Sequence, residues 1–288
     1  MAESPSHAFG QIIGDVLEEA LHDPLRKLAK ELGLYLDYKH PRVSRGGKAL
    51  VSWIDGKGNS HDLDYVFEQG GTEKKSGTPK AFIETAWRRY TKHSKNKAQE
   101  IEGAVGHLRA RYSEYQPALA VVLGGEFTDP SLQQLRSHGF IVLHFSYGDI
   151  IAAFAKCGVD LAYEEATSDT DMQAKLDAFK GLSVKKRKAL PVELRKIGAA
   201  SIEAFVIELR TALTRTIQTI RILPLYSGEA IDVSSIDAAV QAIDNIDETV
   251  GGGQFARYEV DVRYSNGSEI RGTFKSKGEA KDFLLRAI

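Results

Sequence analysis

Two short apolar runs constrain the fold of this chain more than any other feature. Residues Ala118–Leu123 read ALAVVL and end at Gly124-Gly125, and residues Ile141–Phe145 read IVLHF. Runs of this length without polar alternation are typical of strands that are buried on both faces, as in parallel sheets covered by helices. Helical patterns at Ser131–His138 and Gly148–Lys156 follow each run, so the sequence predicts an α/β fold with a mixed central sheet flanked by helices.

The residues before these runs predict a long helix and an antiparallel meander. Apolar residues recur at helical spacing over residues 7–33, with Pro24 inside the pattern and Gly33 at the expected C-terminal cap. Three strand-like segments then follow between turn signals, at Ala49–Ile54, Leu63–Phe67 and Ala81–Ala86. A further helical pattern, over Lys97–Tyr112, leads into the first apolar run.

The rest of the chain predicts a second domain, which consists of a helical segment and a small α+β part. Residues 160–168 are acidic and polar, so we place the domain boundary there, with domain 1–165 before it and domain 166–288 after it. Helical patterns at 170–181, 191–197 and 201–219 form a helical segment. The last 70 residues predict a small α+β domain, in which Arg257–Tyr264 and Glu269–Phe274 form a hairpin around an Asn-Gly turn.

The composition excludes several classes of protein. The 288 residues carry a net charge of -1, so no global basic field indicates nucleic-acid binding. Cys157 is the only cysteine, which excludes a disulfide scaffold and a cysteine-based zinc site and fits a reducing compartment. The N-terminal sequence has no apolar run near the length of a membrane span. We therefore expect a cytoplasmic protein with no signal peptide and no membrane partner.

Two carboxylates in the predicted meander form a candidate metal site. Asp64 lies in HDLDYVFE, and Glu84 lies in the middle of the otherwise apolar strand PKAFIETAW. A charge in such a strand costs several kcal/mol unless it is paired or binds a metal. If their strands are antiparallel neighbours, the two acids converge on one site. Carboxylate oxygens completed by water are the ligands that Mg²⁺ prefers.

A basic segment surrounds Glu84. Residues 72–97 contain eight basic residues and two acids, a local net charge of +6 in a nearly neutral chain. The predicted DNA-binding side chains of this segment are Arg88, Arg89, Lys95 and Lys97. Metal-held carboxylates beside cations that hold the phosphate backbone are what phosphodiester cleavage requires.

These residues and the order of the elements resemble the PD-(D/E)XK nuclease superfamily, which includes the type II restriction endonucleases. The resemblance covers roughly residues 7–157 and is carried by Asp64, by Glu84-Thr85-Ala86-Trp87, and by VVLGGEFTDPSLQQLRSHGF with IVLHFSYGDIIAAF. It implies a Mg²⁺-dependent endonuclease that cuts double-stranded DNA at a specific site. It also implies a homodimer, and a cognate DNA methyltransferase that protects the same site.

The chain departs from the family motif at one important position. Ala86 stands where the motif has its lysine. Lys92 is the first substitute, since it lies at or just before the next helix, and Lys80 is the second, since it shares strand parity with Glu84. Family members also place a helix acid near the metal, which Glu18 or Glu19 would supply; Gln99 and Glu100 are weaker candidates of this kind.

Two further points stay open at the level of sequence. A second basic cluster, at Lys185, Lys186, Arg187 and Lys188, is predicted to contact DNA phosphates or to solvate a helix turn. If no lysine reaches the carboxylates, the alternative function is a non-catalytic DNA-binding relative of the nuclease fold. A structure-specific repair or recombination nuclease would use the same active site as a restriction enzyme.

Overall fold

The computed structural model describes residues 5–91, 94–225, 229–249 and 255–287, and the chain divides into two compact units. The first unit comprises Met1–Arg111 and Ala118–Arg210, and the second comprises Tyr112–Pro117 and Thr211–Ile288. The strands of the first unit are β1 (Tyr35–Tyr38), β2 (Val51–Ile54), β3 (Ser60–Leu63), β4 (Tyr65–Gln69), β5 (Thr78–Arg88), β6 (Ala118–Gly125) and β7 (Phe140–Phe145). Its helices are α1 (Pro5–Glu31), α2 (Ser94–Arg111), α3 (Asp129–Ser137), α4 (Tyr147–Lys156), α5 (Asp169–Lys180), α6 (Val184–Ile197) and α7 (Ala199–Leu213).

The two apolar runs form parallel strands of a mixed five-stranded sheet. Its order is β1-β4-β5-β6-β7. The pairs β1–β4 and β4–β5 are antiparallel, and the pairs β5–β6 and β6–β7 are parallel. Residues 119–125 of β6 are all buried, as a strand between two parallel neighbours requires. The general class, a mixed α/β sheet flanked by helices, is therefore confirmed.

Helix α1 is the central helix of this unit. It packs against β5 and β6 through buried residues such as Leu17 and Leu21, and it also contacts α5 and α6. The helix continues through Pro24, and Gly33 follows it in the left-handed conformation (φ 65°) that a C-terminal cap needs. The helix and its cap are therefore confirmed.

The predicted meander is wrong in its first strand. Residues 51–54 pair with β3 in a separate two-stranded hairpin instead of joining the sheet. The edge position beside β4 is taken by β1, a four-residue strand that carries a buried Asp37 and shows no apolar alternation in the sequence. The third segment forms β5, which at 11 residues is longer than the predicted Ala81–Ala86.

The second unit is a small α+β domain with its own core, as predicted. Its elements are β8 (Ile217–Leu225), β9 (Ile231–Val233), α8 (Ile236–Asn245), β10 (Arg257–Tyr264), β11 (Glu269–Phe274) and α9 (Lys277–Arg286). The sheet is antiparallel with the order β11-β10-β8-β9. Gly267 supplies the positive φ (80°) of the β10–β11 turn. The sequence also predicts a glycine loop at 251–253, and these residues lie outside the described part of the chain.

The units divide at a different place from the predicted boundary at residue 165. Helices α5 and α6 pack against α1, and α6 also packs against α4, so the helical segment belongs with the first unit. The acidic stretch at 160–168 therefore connects two parts of the first unit. Its polar composition, which predicts a domain boundary, belongs to a connection within that unit. No helix within the described ranges has the length and apolar character that a membrane span requires.

Candidate active site

Asp64 and Glu84 lie close together where β4 begins to pair with β5. Asp64 directly precedes β4, whose first residue Tyr65 pairs with Ile83 of β5, and the backbone N–H of Asp64 donates to the carbonyl of Ile83 at 3.3 Å. Glu84 is the next residue of β5 after Ile83. Both side chains line one cavity of about 980 Å³.

Thr85 holds the carboxylate of Asp64 in place. Asp64 Oδ2 accepts hydrogen bonds from the Thr85 backbone N–H at 2.6 Å and from Thr85 Oγ1 at 2.7 Å. The two bonds come from one residue on the adjacent strand, so they fix the position of the oxygen relative to Glu84. The sequence motif contains Thr85, but strand alternation alone does not reveal this contact.

Helix α1 adds a third carboxyl group. Glu18 lines the same cavity as Asp64 and lies on the helix face that also carries Gly10 and Gly14. The Tyr65 hydroxyl donates to the Glu18 carbonyl oxygen at 2.7 Å, which fixes α1 against β4 at this point. The structure therefore brings together the three acids that the sequence analysis named as metal ligands.

Burial and mutual repulsion shift the protonation of all three groups. Desolvation, followed by the charge of Asp64, raises the pKa of Glu84 to about 8 and that of Glu18 to about 7. Desolvation also raises the pKa of Asp64, although the hydrogen bonds from Thr85 oppose the shift. Acids arranged in this way favour either a shared proton or a bound cation, because both remove the uncompensated negative charge.

Among the described residues, Lys97 of α2 is the lysine that lines this cavity. Its side chain is 15% exposed, it donates to Glu100 Oε1 at 3.1 Å, and its charge lowers the pKa of Glu84 against the larger effect of burial. The sequence predicts Lys97 as a DNA-binding residue because it belongs to the basic segment. The predicted helix starts at Lys97, and this start does not show which face of the helix the residue occupies. A helix beginning at Ser94 puts Lys97 on the side that faces the sheet.

Of the two lysines predicted as substitutes for Ala86, Lys80 lies within the described residues. Lys80 lies four residues before Glu84 on β5, about 13 Å along the strand. Among the described residues it lines neither this cavity nor the smaller one beside it. Lys92 lies outside the described residues.

A smaller cavity of about 350 Å³ lies on the other side of the carboxyl groups. Glu18 and Asp64 line it together with Lys39, which directly follows β1. The charge of Lys39 lowers the pKa of both acids against the effect of burial. The carboxyl group of Asp64 is thus accessible from two cavities, with a lysine in each.

The predicted DNA-binding arginines differ in what they contact. Arg88 lines the large cavity and its guanidinium lies 3.7 Å from Glu100. Arg89 stacks 3.8 Å from the ring centroid of Tyr147, donates twice to the Tyr163 carbonyl and pairs with Glu164 at 2.9 Å. With a side chain only 10% exposed, Arg89 anchors the acidic connection at the mouth of the cavity.

The remaining predicted cations lie away from the cavity. Lys95 is exposed in the first turn of α2. Lys185, Lys186, Arg187 and Lys188 are exposed at the start of α6. None of the five lines the large cavity in the described part of the chain.

The described residues contain no group of three or more His, Cys, Asp or Glu side chains arranged to hold a metal ion. The carboxyl groups of Glu18, Asp64 and Glu84 line one cavity without forming such a group. Comparison of the chain with family models, with curated proteins and with solved structures returned no match. The geometry of this site is therefore the basis for assigning a function.

Proposed function

We propose that this protein is a Mg²⁺-dependent endonuclease of double-stranded DNA, with a PD-(D/E)XK-type active site. The observation that carries the proposal is the pair of half-buried acids, Asp64 directly before β4 and Glu84 on the antiparallel strand β5, which line one cavity with Lys97. A structural role for such a pair is disfavoured, because two neighbouring and partly desolvated like charges destabilise the fold.

The donor set fits a hard divalent cation. The available ligands are carboxylate oxygens from Asp64 and Glu84, with Glu18 beside them, and Mg²⁺ in proteins is held by one or two carboxylates plus water. A preformed group of three protein ligands is therefore not required. A divalent cation held there supplies a nucleophile at neutral pH and neutralises charge on the phosphate.

The residues around the acids have separate roles in this proposal. Asp64 and Glu84 hold the cation, and Thr85 keeps Asp64 oriented between them. Lys97 takes the role of the motif lysine that Ala86 lacks: its ammonium orients the attacking water and stabilises negative charge on the phosphate oxygens. Attack on phosphorus breaks the bond to the 3′ oxygen, which leaves a 5′-phosphate and a 3′-hydroxyl.

The finer properties in the proposal come from the family resemblance. They are type II, site-specific cleavage, a homodimer that makes a symmetric double-strand cut, and a methyltransferase that protects the same site in the cytoplasm. A two-fold dimer is the simplest assembly for cutting a palindrome. The DNA sequence recognised depends on side chains that meet base edges, which the site geometry does not specify.

The test is cleavage of unmethylated plasmid and phage DNA by the purified full chain in MgCl₂. We expect discrete fragments that disappear with EDTA and with Glu84→Gln, while Glu208→Gln, an exposed acid on α7, leaves them unchanged. Lys97→Ala is expected to abolish cleavage and to retain metal binding. Metal binding without cleavage of plasmid, junction or mismatched DNA in Mg²⁺ or Mn²⁺ would instead indicate a non-catalytic DNA-binding relative.

A further inference from the structure

We propose that this protein binds the phosphate backbone of duplex DNA at a second surface, remote from the cavity, where three helix ends meet. We call this surface the basic patch. Its six exposed cations are Lys156, Lys180, Lys185, Lys186, Arg187 and Lys188. The choice of DNA as the ligand rests on the proposed function, whereas the existence of a polyanion site rests on the patch itself.

The patch joins residues that are separated in the sequence. Helix α4 ends at Lys156, α5 ends at Lys180, and α6 begins at Val184. A β-carbon built on Gly158 would lie 3.2 Å from Lys186 Nζ, so the Lys186 ammonium lies against the loop that follows α4. The sequence cluster at 185–188 is thereby extended by cations from two other helices.

The cations of the patch are left without acidic partners, in contrast to their neighbours. In the described part of the chain none of the six forms an ion pair. On the same helices or packed against them, Lys175 pairs with Asp160 at 2.6 Å, Lys196 with Glu193 at 2.6 Å, and Arg195 with Asp23 at 3.0 Å. The basic patch is therefore a concentration of uncompensated positive charge.

The position of the patch on α6 adds a second reason to expect a polyanion. The first turn of α6 contains no acid, and its cations lie at the end of the helix that carries positive dipole charge. Cations at that end are destabilising within the isolated protein, since like charges repel. A bound polyanion removes this repulsion and neutralises the ammonium and guanidinium groups together.

The shape and chemistry of the patch favour a duplex over a membrane surface. A membrane-binding helix needs a continuous apolar face. The large apolar residues Leu190 and Leu194 of α6 are buried in the unit, whereas Val184 is exposed beside the cations and Val192 and Ile197 are exposed further along the helix. The exposed apolar residues are therefore separate and form no continuous face, and the surface around the cations is mainly charged, which matches contacts to a sugar–phosphate backbone.

The distance to the cavity fits a duplex that reaches both sites. Asp169 lines the mouth of the cavity and is the first residue of α5, while Lys180 is the last. The 12 residues of this helix rise about 18 Å along its axis. That distance corresponds to roughly five base pairs of B-DNA, so a duplex held at the cavity is long enough to reach the patch.

The test compares two variants of the full chain that lose the same charge. The patch variant carries Lys185→Gln, Lys186→Gln, Arg187→Gln and Lys188→Gln. The matched control carries Arg221→Gln, Arg257→Gln, Arg263→Gln and Arg271→Gln, four arginines of the second unit that each lie within 4 Å of a carboxylate. Thermal melts followed by circular dichroism establish that both variants fold.

The readout is fluorescence anisotropy with a labelled duplex of about 30 base pairs, without divalent metal, across a series of salt concentrations. We expect the patch variant to bind about tenfold or more weakly near 0.1 M salt, and the log–log salt slope to fall by about 0.9 for each phosphate that the variant no longer neutralises. The control is expected to stay within about twofold of the wild type, because its arginines are already neutralised by neighbouring acids.

Two results would overturn the proposal. One is a patch variant that binds the duplex as tightly as the control does. The other is a patch variant that loses affinity for vesicles of anionic lipid and keeps its affinity for DNA. Patch-dependent duplex binding without cleavage in Mg²⁺ or Mn²⁺ would refute only the nuclease proposal, and cleavage with unchanged binding would refute only this one.

Discussion

At the scale of single residues, the hydrogen bonds of Thr85 distinguish Asp64 from its two neighbouring acids. Asp64 accepts two bonds from Thr85 at 2.6 and 2.7 Å, while Glu18 and Glu84 approach it from α1 and β5. A carboxylate that is fixed in this way loses less freedom when it binds a cation. The position of Asp64 is therefore set before any metal arrives.

We expect Thr85→Val to weaken metal binding and Thr85→Ser to preserve it. Valine removes the Oγ1 donor with little change in volume, whereas serine keeps it. The loss of a group that orients a metal ligand costs about 10- to 100-fold in affinity. Titration calorimetry with Mg²⁺ or Mn²⁺ measures the effect, and equal affinities for the valine and serine variants would show that Oγ1 does not orient Asp64.

The raised pKa of Glu84 predicts how stability depends on pH in the metal-free protein. Because its pKa rises from 4.5 to about 8 on folding, the folded chain holds more protons than the unfolded chain between these values. The free energy of unfolding therefore falls as the pH rises across this window. The cost of ionising Glu84 in the folded chain is absent at and below pH 4.5 and is fully present above about pH 8.

We expect Glu84→Gln to reduce this pH dependence, while the raised pKa of Glu18 retains part of it. The variant should match the wild type near pH 4.5 and exceed it at about pH 8 by at least about 1 kcal/mol, the energy of roughly one pKa unit. Urea unfolding at several pH values measures the difference, with Glu208→Gln as the control. If the free energy of unfolding changed with pH in the same way for Glu84→Gln and for the wild type, the raised pKa of Glu84 would be contradicted.

The acids of the site could be predicted from the sequence, whereas the lysine could not. Glu84 stands out as a charge in an apolar strand, and Asp64 and Glu18 follow from element order and family resemblance. Lys97 lies in the predicted basic segment, but it lines the cavity with the acids, whereas the sequence predicts it as a DNA-binding residue. The reason is that its position depends on where α2 begins and on which face of the helix meets β5, and local spacing reports neither.

At the scale of elements, a buried ion cluster fixes β1 and the loops beside it. Arg42 is 1% exposed and forms a two-point ion pair with Glu68, at 2.6 and 2.9 Å, and a second pair with Asp37 at 2.7 Å. Arg42 also donates to the carbonyls of Thr72 and Lys75. The cluster thus joins the edge strand to the loop between β4 and β5.

We expect Arg42→Ala to destabilise the protein by about 3–5 kcal/mol, because it leaves the buried Glu68 without a counter-ion and leaves the buried Asp37 with Arg45 alone. Arg26→Ala is the control, since Arg26 pairs with Asp23 at the surface with 70% exposure and should change stability by no more than about 0.5 kcal/mol. Chemical denaturation measures both. If Arg42→Ala lowered the free energy of unfolding as little as Arg26→Ala does, Arg42 would not be needed to neutralise the buried acids.

The same cluster explains which elements the sequence does not reveal. Most long apolar strands and amphipathic helices are predicted close to their observed bounds, because burial imposes a visible period on them. Helix α6 is predicted only from residue 191 but begins at Val184, because its first turns carry exposed cations and show no apolar period. Strand β1 is missed because Asp37, Arg42 and Glu68 are buried with charged partners, and charged residues indicate exposed loops when each is considered alone. Strand β9 is missed because its three residues are too few to show a period.

At the scale of the whole molecule, the second unit has a hydrophobic core of its own. Its buried residues come from β8, β10 and β11 and from both helices, and they include Ile220, Ile243, Val260 and Leu284. Within the described residues every member of this core belongs to the second unit. A unit with a separate core can lose stability without disturbing a site in the other unit.

The last prediction follows from this separation. Ile243→Ala, at a fully buried position of α8, should destabilise the second unit by about 2–5 kcal/mol. Hydrogen exchange should then become faster in β8, β10 and β11 and remain unchanged in β6, and metal affinity at Asp64 and Glu84 should stay at the wild-type value. Val122→Ala in β6 is the matched control, since it is as deeply buried in the first unit and should show the opposite pattern. If Ile243→Ala also lowered protection in β6 or weakened metal binding, the two units would unfold as one, and the carboxylate site would depend on both.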